Sequence, residues 1–365
     1  MKFSIQREAL LVPITQVVGV VERRQTLPVL GNFLLDVDDN GLKITGSDME
    51  VEMVGQVSAD VAQAGSVTVP ARKLVDICKA LPEGVRLDVQ LNGEKLAVHA
   101  GRSRFTLATL PAAEFPSSEA GDDADRLSVS EDRLGWLLEK TSFAMANQDV
   151  RHYLNGLLIE FRSGMLRAVA TDGHRLALAE IEADVQGDGR SLILPRKGVV
   201  ELSRILSSEE EPVEIALGNN FVQVRRRGLT LTSKLIDGRF PDYEAVIPIS
   251  QDKGMTLVRQ DFIRALQRAA ILSNEKYRGV RIESTDGTIR IVAHNPQQEE
   301  ATDEIEAEHN YDGLVVGFNV NYLLDALGSI DGEKARLSLK SADSSCLITA
   351  VDRDDVRQVV MPLKL

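Results

Sequence analysis

Apolar positions along the chain switch between strand-like and helix-like spacing, and the switching recurs. From Ser191 to Leu206 the run SLILPRKGVVELSRIL reads as a short apolar strand at Leu192, Ile193 and Leu194, a Pro that stops it, and an amphipathic helix. The helix is marked by Val199, Leu202 and Leu206 at i, i+3 and i+7. The same pattern stands 125 residues earlier, with Val67, Val69 and Pro70 leading to Leu74, Ile77 and Leu81. Its polar face recurs too, because Lys197, Glu201 and Arg204 fall on Arg72, Asp76 and Lys79. A fainter third copy lies 124 residues beyond the first-described one. It runs from Val315 and Val316 through Phe318 to Asn321, Leu323, Leu324, Asp325 and Ile330, with Asn321 and Gly328 at the basic positions.

Each copy sits inside a longer repeat that opens with a strand, a helix and a hairpin. In the first, MKFSI precedes a helix predicted from Arg7 to about Glu22, and alternating strands then turn at Asp39, Asn40 and Gly41. The second repeat turns at Ser163 and Gly164, the third at Asp286 and Gly287. Further hairpins follow, such as Val213 to Leu217 against Val222 to Arg226. A period near 120 residues is too long for a solenoid unit and predicts three domains of one α+β fold, with antiparallel hairpins packing helices on one face. LPAAEFPS from Leu110 matches LIDGRFPD from Leu235, and the acidic SSEAGDDAD and the stretch PISQDKG follow them as linkers. The predicted domains are 1–124, 125–247 and 248–365.

Composition adds limits. A chain of 365 residues with 43% hydrophobic and 27% charged residues has enough apolar matter for packed cores. No stretch reads as a membrane span, and Arg7 and Glu8 interrupt any signal-peptide pattern, so a cytoplasmic protein is expected. Cys78 and Cys346 lack partners at metal-ligand spacing and read as small core residues. A net charge of −13 argues against long-range attraction to nucleic acid, so any such role needs a locally basic surface.

One string invites a catalytic reading: in TDGHRL, Asp172 and His174 could form an acid/base pair. With five His in all, no His-Glu-x-x-His, no P-loop, no dinucleotide fingerprint and no G-x-S-x-G, the simpler reading is a turn that ends a strand. Neither a cofactor nor a metal site is expected. On the residues alone an oligomeric enzyme using Asp172 and His174 and a general peptide-binding adaptor without DNA stay open.

The strings TLPVLGN, TVPARK, GRSRF, ATDGHRLA, PRKGV, DGRFPDY, AAILSNEKYRGVR and the terminal VVMPLKL occur in order through all three repeats. In these the chain resembles the beta subunit of bacterial DNA polymerase III, the ring-shaped processivity clamp. The resemblance implies three tandem DNA-clamp domains, with two helices per domain lining the hole and antiparallel sheets outside, and a head-to-tail homodimer forming a six-domain ring. It implies as partners double-stranded DNA bound without sequence preference, the replicative polymerase, the clamp loader and other proteins carrying clamp-binding linear motifs.

By the same resemblance, basic groups facing the hole would be Arg24, Arg72, Lys79, Arg196, Lys197 and Arg204, with Gln148, Arg151 and Tyr153 from one loop. Salt-sensitive phosphate contacts without base readout would follow. The partner-peptide pocket would be walled by Leu154, Thr171, Gly173, His174, Arg175, Leu176, Pro241, Val246, Val359, Val360 and Met361. For the dimer seam, the basic strand with Arg102, Arg104, Phe105 and Leu107, and Lys73 nearby, would meet Ile271, Leu272 and the acidic run of Glu299, Glu300, Asp303 and Glu304.

Overall fold

The structure is a computed structural model that describes residues 1–22, 27–116, 125–185, 189–248, 253–311 and 313–364. Most of the predicted linker SSEAGDDAD and part of PISQDKG lie outside the described residues. Six α-helices are described: α1 (Arg7–Val17), α2 (Ala71–Ala80), α3 (Glu131–Thr141), α4 (Arg196–Ile205), α5 (Arg259–Ala270) and α6 (Val320–Ser329). Each repeat therefore carries its two helices, at the places the apolar spacing predicts.

Helix ends and faces differ from expectation in three places. α1 stops at Val17 rather than near Glu22. Past Val18 the backbone tightens into i→i−3 bonds from Gly19, Val20 and Val21, as expected where Gly and β-branched residues weaken the α-helix. In α4 the buried apolar residue at the end is Ile205, with Leu206 half-buried beyond the helix. On α2, Cys78 takes the fully buried position beside half-buried Ile77.

Packing divides the chain differently from its repeats. One compact unit holds Met1–Asp132 with Val200–Leu235, the other Arg133–Val199 with Ile236–Leu365. Sheet continuity is the cause. In the first unit the hairpin Asn32–Asp38 and Gly41–Ser47 continues into Val51–Val57, which pairs with Leu229–Lys234 of the second repeat to make an eight-stranded sheet. A second sheet of five strands ends on the edge strand Ser103–Ala108. α1 packs on the eight-stranded sheet, and Gly46 lets it approach: a Cβ there would lie 2.8 Å from the Val17 side chain.

In the second unit Arg175–Glu182 pairs with the terminal strand Val356–Val360, inside a nine-stranded sheet. The hairpins turn at Gly164 and Gly287, whose φ of 74° and 72° suits glycine. A four-stranded sheet ends on the edge strand Glu300–Glu306, against which α5 packs. Cys78 and Cys346 are buried free thiols, and burial pushes the Cys78 thiol up to about 11. Among the described residues no helix is long and apolar enough to cross a membrane.

Candidate functional site

On α2, Arg72, Lys73 and Lys79 are exposed as predicted. On α4, Lys197 is half-buried and Glu201, expected on the polar face, is buried at 7% exposure. Glu201 instead holds Arg204, accepting from its Nε at 2.9 Å and Nη2 at 2.6 Å. The remaining Arg204 donors reach the carbonyls of Thr15, at 3.1 Å, and Gln16. Arg72 donates to the Val21 carbonyl at 2.8 Å, and Arg196 to that of Met145 at 3.2 Å. Arg204 therefore retains little donor capacity for a phosphate. Arg24 lies outside the described residues.

The loop carrying Gln148, Arg151 and Tyr153 is braced from within. Asn155 accepts from the Asp149 N–H at 2.9 Å and donates to its carbonyl at 2.8 Å. The guanidinium of Arg151 lies along the Asp149 carboxylate at 3.0 and 2.9 Å. That side chain, with the Arg151 N–H, holds the carboxyl down to about 2. Gln148 has a left-handed φ of 58°, and neighbouring Val150 is 87% exposed.

A cavity of about 170 Å³ opens beside this loop. Its lining includes every predicted pocket residue except His174 and Val360: Leu154, Thr171, Gly173, Arg175, Leu176, Pro241, Val246, Val359 and Met361. Val360 belongs to the other face of its strand and is buried there, because side chains alternate along a strand. His174 is exposed, and its carbonyl accepts the Met361 N–H at 2.9 Å, so it fixes the wall through its backbone. Arg151, Asp242 and Tyr243 also line the cavity. The last two were legible in DGRFPDY, whereas nothing in the sequence assigned Arg151 to this wall.

Two networks hold the lining. Arg175 donates to Asp172 at 3.1 Å, to Asp325 on α6 at 2.5 Å and to the Phe143 carbonyl at 2.8 Å, and its guanidinium lies 4.6 Å from the Tyr322 ring centroid. Behind Pro241 and Val246, the Tyr243 hydroxyl donates to Glu160 at 2.5 Å and accepts from Arg167 at 2.8 Å. Burial, with the bond to Glu160, pushes this phenol up to about 12. Hydrogen bonds from Arg162 and Arg167 lower the Glu244 carboxyl.

A larger hollow of about 600 Å³ lies elsewhere in the second unit, lined by Arg167, Arg353 and Arg357 among others. Their guanidiniums are committed to Glu180, Asp355 and Asp354. The smaller cavity combines an apolar floor with convergent polar groups, the usual composition of a ligand site.

The acid/base reading of Asp172 and His174 finds no geometric support. The carboxylate accepts the N–H groups of His174 at 2.9 Å and Arg175 at 3.0 Å, and binds the Arg175 side chain. It closes a turn. Among the described residues no cluster of His, Cys, Asp or Glu could hold a metal ion.

At the predicted seam, Arg102 and Arg104 are exposed and Phe105 is half-buried on the edge strand. Leu107 is 8% exposed and belongs to its own core. Ile271 is 77% exposed, with Leu272 half-buried beside it. Glu299, Glu300 and Glu304 are exposed, while Asp303 accepts from Arg268 on α5 at 2.6 Å.

Models of the N-terminal, central and C-terminal domains of the DNA polymerase III beta subunit match residues 1–119, 128–242 and 244–364. The chain belongs to this family. It is 52% identical over 367 residues to the beta sliding clamp of Pseudomonas aeruginosa and 44% over 366 to that of Vibrio cholerae, each match covering 100% of both chains. The crystal structure of the P. aeruginosa DNA polymerase III subunit beta superposes with a TM-score of 0.97 at 51% identity, covering 100% of both chains. Caulobacter crescentus pol III beta gives 0.96 at 37%, again over 100% of both. A P. aeruginosa sliding clamp bound to griselimycin also matches at 0.97, with 51% identity and 100% of both chains covered. The family is one of sliding clamps, and the chain's function is that of a processivity clamp rather than an enzyme.

Proposed function

We propose that two copies of the chain, each with clamp domains 1–124, 125–247 and 248–365, join head to tail into a ring that encircles duplex DNA in the cytoplasm. The ring tethers the replicative polymerase, and the clamp loader and other motif-bearing proteins reach the same cavity. Lys79, Lys197, Arg72 and Arg196 meet phosphates without reading bases, and Gln148 and Tyr153 add loop contacts. The cavity floored by Leu176 and Val359 takes the apolar anchors of a short linear motif, with Arg175 and Arg151 at its polar rim.

One observation carries the ring. Twice within the chain, the strand after a left-handed turn in one repeat pairs antiparallel with the last strand of the next repeat. Val51 stands opposite Ser233, and Arg175 opposite Val360. The left-handed residues are Met49, Gly173 and Gln298, each two positions before Val51, Arg175 and Glu300. The third such strand, Glu300–Glu306, is a sheet edge, and so is Ser103–Ala108, the first repeat's counterpart of Leu229–Lys234. Pairing those two edges between copies, used twice, closes a ring and covers the edges. It sets Glu300 opposite Ala108 and Arg104 opposite Glu304.

The test is retention after loading on circular and on linear duplex. A topological clamp stays on the circle and runs off free ends, and equal retention on both would overturn the reading.

A further inference from the structure

The motif cavity carries two guanidiniums in its lining, and both are matched by carboxylates of the same unit. Arg151 gives its Nε and Nη2 to Asp149 at 3.0 and 2.9 Å. Arg175 is held by Asp172 on one side and Asp325 on the other, and its Nη2 donates to the Phe143 carbonyl. Arginines so occupied have few donors left for an incoming anion. The remaining charged residue of the lining is Asp242, which is exposed and has no ion pair among the described residues. In the lining and its ion pairs, two guanidiniums thus stand against four carboxylates, those of Asp149, Asp172, Asp325 and Asp242. The surplus is negative.

The place of Asp242 is fixed by its neighbours. Phe240 and Tyr243 are buried in one core cluster with Leu176 and Val359, their rings edge to face at 6.5 Å. The Tyr243 hydroxyl is held by Glu160 and Arg167, and the Tyr243 carbonyl accepts the Val246 N–H at 3.2 Å. Pro241 and Asp242, between the two aromatics, are exposed and line the cavity, so the carboxylate is carried on backbone pinned from both sides. A group held this way needs little ordering when a ligand arrives. Ser117 stands at this position in the first repeat, through the shared ending LPAAEFPS and LIDGRFPD. The carboxylate therefore belongs to the repeat that carries the motif cavity and is not required by the ending itself.

We propose that Asp242 is a specificity-determining residue of the cavity, selecting linear motifs that carry a Lys or Arg beside their apolar anchors. The inference rests on the peptide reading of the motif cavity: the floor takes the anchors, and the flanking cation meets Asp242 at the mouth. A Glu in the same place faces the acidic surplus, with both arginines already engaged. The pair is exposed, so its charges act mainly before contact, on the rate of association. Among motifs with the same anchors, the chain then favours those with a basic flank.

Calorimetry on the full-length protein tests this with acetyl-Gln-Leu-Ala-Leu-Phe-amide extended by one Lys or one Glu, before the Gln in one pair of peptides and after the Phe in the other. In at least one pair the Lys peptide should bind about three- to tenfold more tightly than the Glu peptide at low salt, because attraction replaces repulsion, and the ratio should shrink as salt rises. Asp242→Asn, which keeps the side chain's shape, should bring that ratio below about twofold, and Asp242→Lys should invert it. Each ratio is taken within one protein, so a general effect of the substitution on the cavity cancels. Asp242→Ser, the residue of the first repeat, takes the place of a variant that binds no peptide. Equal binding of the Lys and Glu peptides in both pairs overturns the proposal, as does a preference that survives loss of the carboxylate. An unextended peptide that fails to bind at millimolar concentration overturns the motif-cavity reading and this proposal with it, whereas its binding without any Lys preference overturns the role of Asp242 alone.

Discussion

Arg204 hydrogen-bonds the Thr15 carbonyl at 3.1 Å, so a residue of the second repeat closes the last turn of a helix in the first. α1 has no basic residue of its own in that turn, and the guanidinium supplies the positive charge the helix end favours. Arg204→Ala removes this and leaves Glu201, 7% exposed, without its cation. The expected loss is about 1–3 kcal/mol, read as a lower denaturation midpoint. Because most of the Arg204 donors are occupied, its removal should lower DNA affinity less than removal of exposed Lys79 by Lys79→Ala does. The opposite ranking would return Arg204 to the hole-facing set.

The salt dependence of DNA binding isolates the remaining cations. Replacing Arg72, Arg196 and Lys197 together should flatten the slope of log K against log salt by about 0.9 for each phosphate that is no longer neutralised. Competing duplexes of different sequence should bind alike. An unchanged slope would mean that these side chains do not meet the backbone.

Much of this was legible in the sequence because it depends on local spacing. The turns at Gly164 and Gly287 and the repeated helices follow from periods of 2 and 3.6 and from turn chemistry, whereas the apolar lining from Leu176 to Met361 was implied by the family resemblance. What was not legible depends on pairing across repeats. The exposed-looking Glu201 is buried because Arg204 folds back on it, and Val360 leaves the pocket because its strand's alternation is fixed by Arg175–Glu182. Nothing in the run VRQVV shows which face a neighbouring strand will cover.

The seam has a testable register. Arg104→Cys with Glu304→Cys in one chain should oxidise to a covalent dimer, visible on a non-reducing gel. Arg104→Cys with Asp303→Cys should cross-link far less, since adjacent strand residues point to opposite faces. The natural Cys78 and Cys346 are buried and should not compete. Ile271→Ala with Leu272→Ala should release monomers in sedimentation, as a packed large apolar residue is worth roughly 2–5 kcal/mol. A dimer of unchanged affinity would remove these two from the seam.

The Tyr243 phenol gives a pH-dependent signature. Its pKa is raised to about 12 in the fold, against about 10 for a free tyrosine. The folded state therefore holds this proton more tightly than the unfolded chain does. That contribution to stability is complete below about pH 10 and is lost as pH rises from about 10 to 12. Absorbance titration at high pH should show a late-ionising phenol that Tyr243→Phe removes, and the variant's stability should fall less steeply over that window. A titration in which Tyr243→Phe deletes an early-ionising group would contradict the buried network around Arg167.

Deleting Met361–Leu365 tests the motif cavity at its most separable wall. Met361 lines the cavity, and its N–H is tied to the His174 carbonyl at 2.9 Å; further on, the Leu363 N–H is tied to that of Gly317 at 2.8 Å. The preceding strand Val356–Val360 keeps its pairing with Arg175–Glu182 and Cys346–Ala350, so the sheet survives the deletion. The edge strand Ser103–Ala108 and α2 belong to the other unit. Truncation should therefore weaken a Gln-Leu-x-Leu-Phe peptide by at least tenfold, about 1.4 kcal/mol, while dimerisation and retention on circular DNA stay unchanged. Affinity concentrated in a few anchors makes the loss steep, because removing one wall leaves the peptide's apolar side chain in water. Full-strength peptide binding by the truncated protein would move the pocket away from Leu176 and Val359 even with the ring intact.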